Sequence, residues 1–208
     1  MPRAGLTRDR VTDTAAEMAD EVGLDHLTLA ALAVRLGVRQ PSLYKHIDSL
    51  AGLHRSIAIQ AKSELGAVLA RAAVGRSGPD AIRAMSHALR DWALRHPARY
   101  EASNVMPAQG DSEHEAKTLA AIQVIADVLT AYDLQGDDSI DAIRALRSIL
   151  HGFISLEAAG GFALSADIDR SFDRLIGGFI IALAHWDELA TSDVSEMRAT
   201  TPRGATRG

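Results

Sequence analysis

Apolar residues recur along most of this chain at steps of three and four positions, the spacing that places side chains on one face of an α-helix. In the first segment these residues are Val11, Ala15, Met18, Ala19 and Val22. Strand signals are nearly absent, since aromatic residues make up 4% of the chain and few windows alternate apolar with polar residues. The pattern therefore predicts an all-α protein.

Glycine, proline and capping residues divide the pattern into about nine helices. The predicted helices cover residues 6–22, 29–36, 39–47, 49–74, 79–96, 97–104, 113–132, 138–160 and 165–189. The residues that follow are polar and rich in Gly, Thr and Arg, so residues 191–208 are expected to form a disordered tail.

Residues 28–47 have the features of a helix-turn-helix. Thr28 is placed to cap the helix 29–36, because its hydroxyl can accept a free backbone N–H. Gly37 can adopt the positive φ angle that a tight turn requires. Pro41 is tolerated only in a first helical turn, so a third helix should begin near residue 39 or 40.

The third helix would dock on the core through Leu43 and Ile47 and leave one polar face exposed. That face comprises Gln40, Ser42, Tyr44, Lys45 and His46. It offers hydrogen-bond donors, acceptors and positive charge without a carboxylate, a combination suited to the phosphate-lined major groove of DNA.

Charge and composition narrow the function class. The net charge of -5 argues against a protein that coats nucleic acid, but the first 55 residues are neutral, which favours a short, focused DNA contact. No cysteine is present, so disulfides and thiolate zinc sites are excluded. No apolar run approaches the ~20 residues that cross a bilayer and no secretory signal is recognisable. We expect a cytoplasmic protein that does not contact membranes.

The sequence from residue 23 to residue 47 resembles the DNA-binding domain of the TetR family of regulators. The Thr28 cap, the turn at residues 33–38 and the run at residues 42–46 carry this resemblance. Residues 96–100, 150–153, 156–157 and 161–162 resemble the WHG-type C-terminal subgroup of that family. The resemblance implies a TetR-like fold, with a three-helix DNA-binding head at residues 1–50 and a helical ligand-binding and dimerisation body at residues 51–190.

The resemblance also implies roles for individual residues. Thr28 and Tyr44 match positions that touch the DNA backbone, and Lys45 and His46 match positions near phosphates. Gln40, Pro41 and Ser42 match positions that meet bases or the thymine methyl group.

Two positions depart from the family pattern. Leu50 stands where the family often has a lysine, and Arg39 stands where it often has Ser or Thr. Arg39 is therefore added to the expected DNA-binding residues, either restoring the lost charge or reading guanine with two hydrogen bonds.

The last two predicted helices have apolar faces wider than one neighbouring helix can cover. We therefore predict a four-helix dimer interface, formed by Ile149, Phe153, Leu156, Phe172, Ile176, Phe179, Ile180 and Leu183. Burial of these residues within one chain is the alternative. A homodimer would space two recognition helices about 34–36 Å apart on a palindromic operator.

TetR-like proteins carry a ligand pocket between head and dimer interface, which the resemblance implies here. The candidate lining residues are Met85, Trp92, Tyr100, Met106, Leu119, Ile122 and Phe153. Because few of these are polar, we expect a small, mostly apolar effector. Plain core packing is the alternative for each residue.

The remaining titratable residues do not indicate a metal site or a catalytic site. His151 and Glu157 do not share a helix face, which argues against a metal site; His151 is expected to be an interior histidine. Glu157 lies among apolar residues and needs a partner, for which a second subunit is one source. No nucleophile elbow, phosphate loop or dinucleotide fingerprint is present, so neither an enzyme nor a cofactor is expected.

The sequence thus predicts a homodimeric repressor that a small effector releases from double-stranded operator DNA. The alternative is an effector-independent regulator or activator controlled by a partner protein. A sealed cavity smaller than about 300 Å³ would favour that alternative.

Overall fold

The computed structural model describes residues 5–186 and residue 188, and this part of the chain contains helices and no strands. The α-helices are α1 (Arg8–Val22), α2 (Leu29–Leu36), α3 (Leu50–Ala73), α4 (Gly78–Arg95), α5 (Pro97–Ser103), α6 (Ser112–Leu129), α7 (Gly136–Ala158) and α8 (Ile168–Ala184). Short 3₁₀ segments lie at Leu24–His26, Gln40–Lys45 and Thr130–Tyr132. The prediction of an all-α fold is confirmed.

Side-chain caps fix the starts of the first three α-helices. The Thr28 hydroxyl accepts the backbone N–H of Ala31 at 3.2 Å, and the Ser49 hydroxyl accepts that of Gly52 at 3.0 Å. Thr7 caps α1 in the same way, so this helix begins at Arg8 and not at residue 6. Each cap satisfies a backbone donor that has no partner inside the helix.

The third predicted helix is a 3₁₀ segment, Gln40–Lys45, which we call the recognition turn. It is shorter than the predicted 39–47 because Pro41 removes a donor at its start and the remaining backbone bonds span three residues. The N–H of Ser42 donates to Arg39 (2.8 Å) and that of His46 to Leu43 (2.8 Å).

Several helix ends also differ from the prediction. α7 begins at Gly136, whose φ of 53° is accessible to glycine, and α8 begins at Ile168 after the Asp167 cap. α6 ends at Leu129, and its expected last turn tightens to the 3₁₀ segment Thr130–Tyr132. The predicted helix end at residue 189 and the tail 191–208 lie outside the described residues.

Buried apolar residues form two clusters that α3 joins. A head cluster contains Leu32 and Leu43 with Leu53 of α3, and a body cluster contains Leu69 of α3 with residues of α4, α6, α7 and α8. Leu65, about two thirds of the way along α3, packs against both clusters. α3 is therefore a continuous rod of 24 residues, about 36 Å long, between the recognition turn and the body.

No helix in the described part of the chain combines the length and hydropathy needed to cross a bilayer.

An ion cluster centred on the buried Arg90 holds α4, α7 and α8 together. The guanidinium of Arg90, only 9% exposed, donates to both Glu157 carboxylate oxygens at 2.7 and 2.6 Å. It also lies 2.8 Å from Asp169 and 4.9 Å from the centre of the Phe172 ring. Glu157 therefore finds its partner within the same chain, and its hydrogen bonds raise the pKa of Arg90 above its usual value.

We expect Glu157→Gln to lower the free energy of unfolding by about 2–4 kcal/mol, because it leaves the Arg90 charge buried without its bidentate partner. Urea unfolding followed by circular dichroism measures this change. Asp173→Asn, which alters an exposed carboxylate on α8, is the control and should change stability by less than about 1 kcal/mol. Equal effects of the two substitutions would contradict the assignment.

Candidate nucleic-acid interface and cavity

The turn between α2 and the recognition turn depends on Gly37. This residue has φ 68° and ψ 33°, the left-handed region, where a side chain would be strained. Its N–H donates to Val34 and the N–H of Val38 donates to Ala33, both at 3.0 Å. These bonds close the end of α2 and send the chain into the recognition turn.

Two buried side chains anchor the recognition turn and determine which of its residues face outward. Leu43 is fully buried and Ile47 is 5% exposed. The sequence-predicted DNA-binding residues Thr28, Arg39, Gln40, Pro41, Tyr44 and Lys45 are exposed, and Ser42 and His46 are half-buried. None of these residues is acidic, so the outward side of this segment offers hydrogen-bonding groups and positive charge.

Three of the predicted residues, Tyr44, Lys45 and His46, share a polar groove of about 340 Å³, which we call the recognition groove. The groove also contains the carboxylate of Asp48 and two cations that the sequence analysis did not assign, Arg8 of α1 and Arg55 of α3. The Arg8 guanidinium donates to the Ser56 hydroxyl at 3.2 Å. Arg8 lies in the first turn of α1, where no spacing rule connects it to the recognition turn, so the sequence carries no clear signal for it.

Arg55 also connects this groove to the start of α6. It donates to both carboxylate oxygens of Asp111 at 2.6 Å and to Glu113 at 2.8 Å. Asp111 caps α6 by accepting the His114 N–H at 3.1 Å. The hydrogen bonds from Arg55 lower the pKa of Asp111 to about 2. The ion pair thus persists at neutral pH and ties the first turns of α3 to α6.

A cavity of about 300 Å³ lies between α3, α4, α5, α6 and α7. Its lining residues are Lys62, Leu65, Leu69, Met85, Ser86, Leu89, Tyr100, Ser103, Asn104, Thr118, Ala121, Ile122, Ile125, Arg144, Leu146, Arg147, Ser148, Leu150 and His151. Arg147 and His151 are exposed, so the cavity opens to the surface beside α7.

Three predicted pocket residues, Met85, Tyr100 and Ile122, line the cavity, and four do not. Trp92 faces the head cluster instead, and Phe153 packs on the rings of Phe162 and Phe172. Met106 and Leu119 point outward, with exposures of 73% and 66%, because Met106 lies in the loop after α5 and Leu119 lies on the outer face of α6. This corrects the predicted lining.

The sequence analysis missed the polar part of the lining. Lys62 is only 5% exposed, and burial, followed by the charge of Arg147, lowers its pKa. Its spacing to Leu65 and Leu69 places a lysine in the apolar stripe of α3, a signal that the sequence did contain. The expected apolar pocket therefore has a cation in its wall.

Tyr100 and His151 form a second polar feature of the cavity. The Tyr100 hydroxyl lies 3.0 Å from Nδ1 of His151. Burial raises the pKa of Tyr100 to about 12, so the hydroxyl keeps its proton at neutral pH. His151, expected to be an interior residue, is exposed, because this side of α7 faces the opening of the cavity and contacts α5 through Tyr100 at its edge.

Most of the predicted dimer residues lie inside a single chain. Phe172, Ile176, Phe179, Ile180 and Leu183 are all at most 8% exposed and belong to the body cluster, because α8 packs against both α4 and α7. Ile149 and Phe153 are half-buried, and Leu156 is 53% exposed. These findings correct the predicted interface, of which Leu156 is the one clearly exposed apolar member.

A different set of residues on α7 and α8 faces outward. Ile181 is 66% exposed, and a Cβ atom added at Gly152 or Gly178 would meet no atom within 4 Å. Together with Leu156, these residues form what we call the outer face of α7 and α8.

Comparison with known proteins places the chain among regulators. Residues 82–179 match the tetracyclin repressor-like, C-terminal domain family. An uncharacterized HTH-type transcriptional regulator of Mycobacterium tuberculosis is 37% identical over 190 residues, which is 91% of this chain and 85% of that protein. One of Bacillus subtilis is 33% identical over 187 residues, 88% of this chain and 95% of that protein.

A solved structure has the same fold. A variant of TetR from Acinetobacter baumannii, crystallised in complex with minocycline, superposes with a TM-score of 0.65 at 21% identity. The match covers 90% of this chain and all of that one.

We expect Lys45→Gln to weaken binding to duplex DNA and to reduce the slope of log affinity against log salt by about 1, because one phosphate contact is lost. Fluorescence anisotropy over a salt series measures both quantities. Lys117→Gln, at an exposed position on α6, is the matched control. An unchanged slope for Lys45→Gln, or the same change for both variants, would count against the assigned face.

Proposed function

Because the chain belongs to the TetR family of transcriptional regulators and is a DNA-binding regulator and not an enzyme, we propose a more specific role. The protein is a homodimeric repressor that leaves a palindromic operator when a small molecule occupies the cavity. The observation that carries this proposal is that α3 serves both sites: Arg55 borders the recognition groove and Lys62 lines the cavity.

In this proposal residues 1–50 are the DNA-binding head and residues 51–190 the ligand-binding and dimerisation body. The base-reading residues are Arg39, Gln40, Pro41 and Ser42, while Thr28, Tyr44, Lys45 and His46 contact the backbone. Arg8, in the same groove as Tyr44 and Lys45, adds a further cation toward phosphate. Since operator DNA is the target, the protein works in the cytoplasm.

Release follows from the linkage between the two sites. An effector shifts the protein toward the conformation that it binds more tightly, and only by that difference in affinity. Because Leu65 packs against both apolar clusters and Arg55 is paired with Asp111 at α6, a change in the separation of α3 and α6 also moves the recognition turn. The two heads of the dimer then no longer match the operator spacing.

The outer face of α7 and α8 is the proposed dimer contact. Leu156 and Ile181 are large apolar side chains exposed on it, and Gly152 and Gly178 leave the helix backbones accessible. Glycine within a helix lowers helix stability by about 1 kcal/mol relative to alanine. Close approach of a second helix, which a larger side chain would prevent, explains why glycine stands at these two positions. Pairing these helices with their symmetry copies forms a four-helix interface.

The cavity favours an effector over the effector-independent alternative. Its volume of about 300 Å³ reaches the lower end of the range for small-molecule sites, and it is open to the surface.

Selection from a pool of random duplexes tests the DNA-binding part. We expect enrichment of a palindrome whose half-sites lie about 10–10.5 bp apart, or a multiple of that spacing, as two recognition elements on one face of DNA require. A pool that shows no enrichment, or that yields isolated half-sites, would contradict the proposal.

We expect Ile181→Glu to convert the dimer into monomers, because it places two like charges near the symmetry axis of an apolar contact. Sedimentation velocity measures the change. Leu119→Glu is the control, since Leu119 on α6 has the same 66% exposure as Ile181 but lies off the outer face. A dimer that persists in Ile181→Glu would rule out this interface.

A further inference from the structure

A buried lysine without a counter-ion lies in the cavity wall. Lys62 lines the cavity and is 95% buried, since its exposure is 5%. Among the described residues no carboxylate influences its pKa, and the side chain has no hydrogen-bond partner, so its ammonium group is open only to the cavity. An unpaired ammonium ion in such a place is costly, and buried cations in proteins are usually paired.

The charged groups around Lys62 increase the excess of positive charge in this part of the cavity. The charge of Arg147 acts on Lys62 and lowers its pKa in addition to burial. Burial, followed by the charge of Lys62, lowers the pKa of His114, whose buried Nε2 atom also lacks a partner in the described part of the chain. Arg144 lies further along the rim and pairs with Asp141 outside the cavity.

No acidic residue lines the described cavity, although its wall contains a lysine and two arginines. Elsewhere in residues 5–186 the buried or half-buried arginines are paired: Arg55 with Asp111, Arg90 with Glu157 and Arg99 with Asp20. Lys62 differs from these arginines, and it faces empty volume. The missing negative charge is therefore one that a ligand can supply.

We propose that the effector is an amphipathic carboxylate whose acid group pairs with Lys62 while its apolar body lies against Leu65, Leu69 and Met85. This inference rests on the proposed function, because it names the class of molecule that the same cavity takes. It replaces the mostly apolar effector expected from the sequence. Arg147, at the exposed rim, attracts the anion on entry, and the protonated Tyr100 hydroxyl offers a further hydrogen-bonding group within the cavity.

The cavity volume limits the size of the whole ligand. A cavity of ~150 Å³ holds benzene, which has six non-hydrogen atoms. The cavity here has about twice that volume, about 300 Å³, and therefore has room for about twelve non-hydrogen atoms. Decanoate and 4-phenylbutyrate have this size and differ in shape, so together they serve as probes.

The test compares each acid with the alcohol and the amine of the same carbon skeleton. Binding of these probes to the full chain, without DNA, is measured by isothermal titration calorimetry at constant ionic strength. We expect at least one acid to bind about tenfold to a hundredfold more tightly than its alcohol, the range of a hydrogen bond to a charged group. The amines should bind most weakly.

Lys62→Gln tests the assigned cation. The acid should lose about the same tenfold to hundredfold while the alcohol changes little, and Lys117→Gln should leave both unchanged. The variant without ligand should be at least as resistant to urea as the original protein, because an unpaired buried charge has been removed. Arg147→Gln, at an exposed site where folding is not at risk, should weaken acid binding by a smaller factor.

Several results would overturn the inference: equal affinities for acid and alcohol, equal losses of both in Lys62→Gln, or no binding of either acid in the millimolar range. Its failure differs from failure of the proposed function. If an acid binds but leaves the selected operator occupied, the release mechanism is wrong and the ligand class stands. If only an uncharged probe releases the operator, the release mechanism stands and the ligand class is wrong.

Discussion

The continuity of α3 is the constraint on which the other features of this structure depend. Its first turns pack in the head cluster, its last turns pack in the body cluster, and Leu65 belongs to both contact sets. Ser49 fixes where the helix begins, and its side chains border the recognition groove at one end and the cavity further along. A helix moves as a rigid unit over such a distance. A shift of α3 at the cavity therefore also moves the recognition turn.

Local chemistry made the head predictable from sequence. The Thr28 cap, the Gly37 turn and the Pro41 start each depend on residues within a few positions, and the same residues perform these tasks in the structure. The 3₁₀ geometry of the recognition turn was not predicted, because an apolar spacing over so few residues does not distinguish an α-helix from a 3₁₀ segment.

The body was less predictable because its contacts link residues distant in sequence. The apolar stripe of α8 was correctly identified, but the stripe alone could not tell whether another helix of the same chain or a second copy covers it. α4 and α7 do so here, and the Arg90–Glu157 pair, which joins residues 67 positions apart, holds them in place. For the cavity, a search for apolar lining found Met85 and Ile122 but passed over Lys62, because that search considered only apolar side chains, although the spacing of Lys62 to Leu65 and Leu69 places it in the apolar stripe of α3.

The two sides of α7 perform different tasks. Ser148 and His151 border the cavity, whereas Gly152 and Leu156 belong to the outer face that we assign to the second subunit. A molecule that shifts α7 in one subunit therefore also changes the surface against which the other subunit packs. In the proposed dimer, occupancy of the first cavity would then alter the affinity of the second, and the dose curve would differ in steepness from that of two independent sites.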